Sequence, residues 1–112
     1  MKKIEAIIRP AKVQDVCSAL DKLGHAGMMI TEIEGHGRQK GMEQQFRGKT
    51  YKVSFLTKVR IQVIADDQDV DKITQAICQA AFTGKVGDGK IFIYPVDDVV
   101  RIRTGERAQA AL

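Results

Sequence analysis

The order of hydrophobic periodicities along the chain constrains its fold more than any other feature. The alternation typical of a strand occurs in four segments, at residues 2–8, 28–35, 54–65 and 91–96. Helical spacing of apolar residues follows the first strand and the third, over residues 12–23 and 66–81. The order β-α-β-β-α-β predicts an α+β protein with a ferredoxin-like fold, in which two helices cover one face of an antiparallel sheet.

The first and third strands contain more apolar residues than burial on one face requires. An apolar sheet face without a cover usually marks an interaction surface, and we expect a homo-oligomer interface there. The 112 residues suit a single domain that needs no disulfide. Cys17 and Cys78 stand alone in helical segments, and no apolar run approaches the ~20 residues of a membrane span. With no signal-peptide pattern at the N-terminus, we expect a soluble, cytoplasmic protein.

The polar segment between the second and third strands is much longer than an ordinary connection. Such loops tend to be functional or disordered. Residues 37–53 contain five basic residues and one acidic residue, which equals the net charge of +4 for the whole chain. The rest of the chain is therefore neutral, and the segment suits an anionic ligand or an acidic partner.

A second glycine-rich segment, TGKVGDGKIF at residues 83–92, lies between the second helix and the last strand. Glycines let backbone N–H groups approach an anion, although the spacing is not that of a Walker A loop. Arg101 and Arg103 follow, and strand-like alternation would put both guanidinium groups on one side, ready to bind phosphate. The residues alone leave open a polyphosphate site or a merely tight connection.

No catalytic grouping or metal-ligand cluster is visible in the sequence. His25 and His36 both neighbour glycine in turn-like contexts. An enzyme of slow turnover and a nucleic-acid module that uses the basic segment remain alternatives. Four Phe and two Tyr offer few aromatic rings for base stacking, which argues against the nucleic-acid module.

Three motifs in this order resemble the PII family of nitrogen-signalling proteins: GHGRQKG at 35–41, RGKTY at 47–51 and TGKVGDGKIFIYPV at 83–96. The resemblance covers nearly the whole chain and implies one PII-type domain over residues 1–112 that forms a homotrimer. It implies a T-loop at about 37–55 between strands 2 and 3, a B-loop at about 82–90 and a C-loop at about 101–109. The implied function is non-catalytic regulation of nitrogen metabolism, with ATP or ADP, Mg²⁺ and 2-oxoglutarate as effectors.

The resemblance also implies ligand sites in clefts between neighbouring subunits. The nucleotide would be held from one side by Gly35, Arg38, Gly87, Asp88, Gly89 and Lys90. Arg101 and Arg103 would hold phosphates from the other side, while Ile7 and Ile64 flank the adenine and Gln62 lies beside the base. Gln39 would help to hold Mg²⁺ next to the ATP phosphates. Lys58 would bind the distal carboxylate of 2-oxoglutarate, in a pocket shared with Lys40, Gly41 and Gly87.

Targets would be reached through the T-loop. Arg47 matches the arginine that enters the pore of an ammonium transporter in some members of the family, and Tyr51 matches a tyrosine that many bacteria uridylylate. Gln62 and Met29 depart from the family, which often has Glu and Thr at these positions. They leave open a divergent PII-like sensor of adenine nucleotides or of another small metabolite, without 2-oxoglutarate coupling. Gln39 and Lys58, which are intact, favour 2-oxoglutarate.

Overall fold

The computed structural model describes residues 1–25, 27–36, 42–46, 49–53 and 55–112, and side chains for 1–25, 27–34 and 57–112. The strands and helices in chain order are β1 (Lys2–Ile8), α1 (Val13–Lys22), β2 (Met28–His36), β3 (Met42–Phe46), β4 (Lys49–Val53), β5 (Phe55–Ala65), α2 (Val70–Ala81) and β6 (Lys90–Pro95). One antiparallel sheet has the order β2-β5-β1-β6, and β3 pairs with β4 separately. The predicted α+β class and the order of the main elements are confirmed, with β5 and β6 as the predicted third and fourth strands.

Alternation along the two central strands explains where the core lies. Every second residue is buried from Ile4 to Ile8 in β1 and from Val59 to Ala65 in β5, beside the inward stripes of α1 and α2. The core side chains are Ile4, Ala6, Ile8, Val16, Leu20, Val59, Ile61, Val63, Ala65, Ile73, Ile77 and Ala81. Each fully buried isoleucine or leucine among them contributes roughly 1.5–3 kcal/mol relative to an exposed one.

The sheet face opposite the core carries apolar as well as polar side chains, as expected: the register places Met29, Phe92 and Tyr94 on it, and they are 55%, 43% and 40% exposed. Lys3 and Glu5 alternate with the core residues of β1, and the Gln62 amide donates a 3.1 Å hydrogen bond to Glu5. The Lys3 ammonium lies 4.5 Å from the ring centroid of Tyr94 on β6. On the two central strands themselves, Ile7 and Ile64 lie on this face, opposite Arg60 and Lys3. The homotrimer remains a prediction.

The long polar segment contains structure that the sequence did not predict. Residues 42–46 and 49–53 form an antiparallel pair, in a register from Met42 opposite Val53 to Phe46 opposite Lys49. Pairing satisfies backbone N–H and C=O groups that would otherwise need water, and Thr, Tyr and Val favour strands. The expectation of a long loop without strands is therefore corrected for these residues.

Among the helices in the described part of the chain, none is long and apolar enough to cross a membrane.

Candidate functional site

The glycine-rich segment between α2 and β6 adopts a backbone that requires its glycines. Gly87 and Gly89 have φ angles of +102° and +104°, which residues with a side chain rarely adopt. A Cβ atom built on Gly89 would lie 1.7 Å from the carbonyl oxygen of Ile7. The beginning of β6 therefore packs directly against the backbone at the end of β1, and only glycine fits there.

The Asp88 carboxylate organises this glycine loop from within. The N–H groups of Thr83 and Gly84 donate hydrogen bonds of 2.8 and 2.9 Å to its Oδ2 atom. The Thr83 hydroxyl donates to Oδ1, as does the Nε of Arg9 at 3.1 Å. The hydrogen bonds from Thr83, with those from Gly84 and Arg9, hold the pKa of Asp88 far below its ordinary value. Asp88 is thus an ionised structural centre of the loop.

Two cations, one directly after β1 and one on β5, reach the same loop. Arg9 follows β1, and Pro10 restricts it to an extended backbone with φ −65° and ψ 139°. Its Nη2 donates a 2.8 Å hydrogen bond to the carbonyl of Val86. The Lys58 ammonium on β5 donates to the carbonyl of Gly87. Three consecutive residues of the loop, Val86 to Asp88, are therefore held by two cations, Arg9 just after β1 and Lys58 on β5.

The electrostatic setting of Lys58 suits an anionic ligand. Burial lowers the pKa of its ammonium, the charge of Arg9 lowers it further, and the charge of Asp88 partly opposes both effects. A partly desolvated cation beside a second cation gains more from a nearby carboxylate than an exposed lysine does. Lys58 can accordingly serve as the anchor of a small carboxylate.

A cleft of about 230 Å³ adjoins the glycine loop, between the end of α2 and the beginning of β6. It brings together four residues of the predicted nucleotide set, namely Ile7, Asp88, Gly89 and Lys90. The remaining lining residues are apolar or small: Ile8, Ile77, Cys78, Ala81, Phe82 and Ile91. The combination of an apolar wall with a lysine and a glycine backbone suits a ligand that has both an apolar ring and an anionic part.

The C-terminal arginines are placed differently from the prediction. Residues 101–105 form a turn in which the Gly105 N–H donates a 2.7 Å bond to the Arg101 carbonyl, so strand alternation does not apply there. The Arg101 guanidinium bonds the carbonyl of Leu112 at 3.1 Å and lies 3.7 Å from Glu106. Neither Arg101 nor Arg103 lines the cleft within this chain.

The sheet register separates the two residues expected to flank an adenine. Ile7 lies opposite Arg60, whereas Ile64 lies opposite Lys3. Four residues along a strand span about 13 Å, which is too far for one ring to touch both side chains of a single chain. Gln62, the third residue expected near the base, is hydrogen bonded to Glu5.

Several predicted site residues lie outside the described residues: Arg38, Gln39, Lys40, Gly41 and Arg47. Gly35 and Tyr51 are described only as backbone positions of β2 and β4. Within the described part, no group of three or more His, Cys, Asp or Glu side chains is placed to hold a metal ion.

Two residues at the site were missed by the sequence reasoning, Arg9 and Thr83. Thr83 opens the quoted glycine motif, so its position was a usable signal for a partner of Asp88. Arg9 lies 79 residues from Asp88 along the chain, and no local pattern connects the two.

Comparison with known proteins gives a consistent result. The sequence model of a family described as nitrogen regulatory protein P-II matches residues 1–106. A nitrogen regulatory protein P-II of Azospirillum brasilense is 53% identical over 112 residues, covering 100% of both chains. Proteins with the same description from Pasteurella multocida and from a Synechocystis strain are each 51% identical, again over the full length of both chains.

Proposed function

The chain belongs to the nitrogen regulatory protein P-II family, and from this premise we propose that it is a non-catalytic regulator of nitrogen metabolism. It binds ATP or ADP and 2-oxoglutarate, and it controls target proteins through the segment at residues 37–55. The observation that carries the proposal is the glycine loop, where the Lys58 ammonium bonds the Gly87 carbonyl and Lys90 lines the cleft together with Asp88 and Gly89.

The nucleotide proposal is supported by the chemistry of the loop and the cleft. Glycine backbone and the Lys90 ammonium suit phosphates, while the isoleucines of the cleft suit a base. The separation of Ile7 from Ile64 favours a base held between two chains of a homotrimer, with Ile7 from one and Ile64 from its neighbour. Arg101 and Arg103, which do not line the cleft of their own chain, would then act from the neighbouring subunit, and Gly35 and Arg38 would join the loop side.

The 2-oxoglutarate proposal depends on Lys58. Its ammonium lies beside Gly87, and it would bind the distal carboxylate with Lys40, Gly41 and Gly87 around the ligand. Gln39 would hold Mg²⁺, which supplies a bridge between the ATP phosphates and the metabolite. Ligands that favour different conformations of the 37–55 segment would then change its affinity for targets.

The proposed targets are an ammonium transporter, contacted through Arg47, and enzymes or regulators of nitrogen assimilation. The five basic residues between positions 37 and 53 suit acidic or carbonyl-rich surfaces on such targets. Tyr51 is the proposed position of uridylylation.

The test is isothermal titration of 2-oxoglutarate into the protein with Mg-ATP, with Mg-ADP and without nucleotide. We expect binding that requires Mg-ATP. Nucleotide binding without any 2-oxoglutarate binding would replace the proposal by a divergent sensor of adenine nucleotides or of another metabolite.

A further inference from the structure

We propose that Arg9 is the positioning residue of the glycine loop, and that its guanidinium fork holds the backbone in the conformation that receives a nucleoside diphosphate. The inference rests on the proposed function. Arg9 lies at the end of β1, outside the glycine motif and outside the residues that line the cleft. It would act on the ligand only through Val86 and Asp88.

The first step is the direction of the peptide groups. In a trans peptide the C=O of one residue and the N–H of the next point in opposite directions. The Val86 carbonyl points to Arg9, so the N–H of Gly87 is turned to the other side of the loop. In the same way the bond from Lys58 to the Gly87 carbonyl turns the N–H of Asp88 away from Lys58. Cations on the carbonyl side therefore set the side on which the loop offers its donors.

The second step is the link from Arg9 to the rest of the loop. The Nε of Arg9 bonds the same Asp88 carboxylate that accepts the N–H groups of Thr83 and Gly84. One guanidinium thereby connects the two ends of the loop, at Thr83–Gly84 and at Val86–Asp88, to the rigid end of β1. Without it, the carboxylate loses a charged partner and the Val86 carbonyl loses the hydrogen bond from Arg9.

The third step is the reason why an arginine, and not a lysine, is needed at position 9. The two contacts use different nitrogens of one planar group, 3.1 Å to Asp88 and 2.8 Å to Val86. A lysine carries a single point charge and cannot hold both acceptors in this fixed geometry. If Arg9 merely attracted phosphates by its charge, lysine would replace it without loss.

The experiment compares full-length wild type with Arg9→Gln, Arg9→Lys and the control Lys12→Gln. Lys12 is a nearby cation whose ammonium lies 3.7 Å from Asp15. Amide hydrogen exchange reports on the loop without any ligand, and titration with ADP reports on the site. We expect exchange at Thr83 and Gly84 to be about tenfold faster in both Arg9 variants, and ADP binding about tenfold weaker, since a charged hydrogen bond is lost. Exchange at Ile61 in the core, and both readouts in Lys12→Gln, should stay at wild-type values.

Three results would overturn the inference. Arg9→Lys with wild-type exchange and affinity would show that charge alone matters. Unchanged exchange at Thr83 and Gly84 in Arg9→Gln would show that Arg9 does not hold the loop. Equal acceleration at Ile61 would show a global loss of stability instead. A wild-type protein that does not bind ADP would overturn the proposed function, and the exchange measurement would still decide whether Arg9 positions the loop.

Discussion

Replacement of Gly89 by alanine is the sharpest test of how the glycine loop joins the sheet. The added Cβ would lie 1.7 Å from the carbonyl oxygen of Ile7 and 2.8 Å from its carbonyl carbon, so backbone must move. The φ of +104° is itself unfavourable for alanine, at about 1–3 kcal/mol. To relieve this overlap, the backbone at Lys90 must move away from Ile7, its partner at the end of the β1–β6 ladder. Each backbone hydrogen bond lost there costs about 1 kcal/mol. We expect a total loss of about 3 kcal/mol.

The assay is urea denaturation at fixed protein concentration, because association of subunits would add to the stability. With a slope of about 2 kcal/mol per molar urea, the midpoint of Gly89→Ala should fall by about 1.5 M. The matched control is Gly105→Ala, where φ is +74° and no atom lies within 4 Å of the new Cβ. The free energy of unfolding of Gly105→Ala should fall only by the cost of placing alanine at a positive φ angle, about 1 kcal/mol.

Equal midpoints for Gly89→Ala and Gly105→Ala would refute the reasoning. They would mean that β1 and the loop separate without cost, and that the close approach at Ile7 contributes nothing to stability. A larger loss of stability for Gly89→Ala, together with weaker ADP binding, would indicate that the packing of the loop against Ile7 also supports its proposed role in nucleotide binding.

Three further predictions follow from single side chains. The low pKa of Asp88 means that its hydrogen bonds stabilise the fold fully above the ordinary Asp pKa of about 3.9, and that this stabilisation is lost as the pH falls toward the pKa of the folded state. The difference in stability between wild type and Asp88→Asn, measured from urea midpoints, should therefore be constant from about pH 7 to 5 and shrink below about pH 4. A difference that does not depend on pH would contradict the assignment. Lys58→Gln keeps a donor for the Gly87 carbonyl but removes the charge, so titration should show 2-oxoglutarate binding weakened by at least about tenfold and ADP binding nearly unchanged; parallel loss of both would argue against separate sites. Ile73→Ala should cost about 2–5 kcal/mol, measured by thermal or urea unfolding, because Ile73 is fully buried between helix and sheet, and a loss below 1 kcal/mol would place it outside the core.

Local sequence patterns were sufficient to predict the main secondary structure, the glycine motif and the family of this protein. Periodicity of two and of 3.6 located the four strands of the main sheet and both helices to within a few residues, since burial on one face dictates the spacing of apolar side chains. The glycine motif and its neighbours Asp88 and Lys90 were likewise visible, because the special φ angles of the loop can be met only by glycine. The family, too, was identified from short motifs, and the comparisons confirm it.

Other features depend on contacts between distant parts of the chain. Alternation placed Lys3, Glu5 and Gln62 on the second sheet face, but it could not show that the Gln62 amide would donate a hydrogen bond to Glu5 on the neighbouring strand. The turn at 101–105 replaced the expected extended backbone because its own hydrogen bonds close it. The pairing of Arg9 with Asp88 arises only when antiparallel β1 and β6 bring the end of one strand to the beginning of the other, 79 residues away. The spacing of apolar residues in the sequence reveals the periodicity of a single helix or strand. The partner of a charged side chain, in contrast, is determined by how several helices and strands pack together.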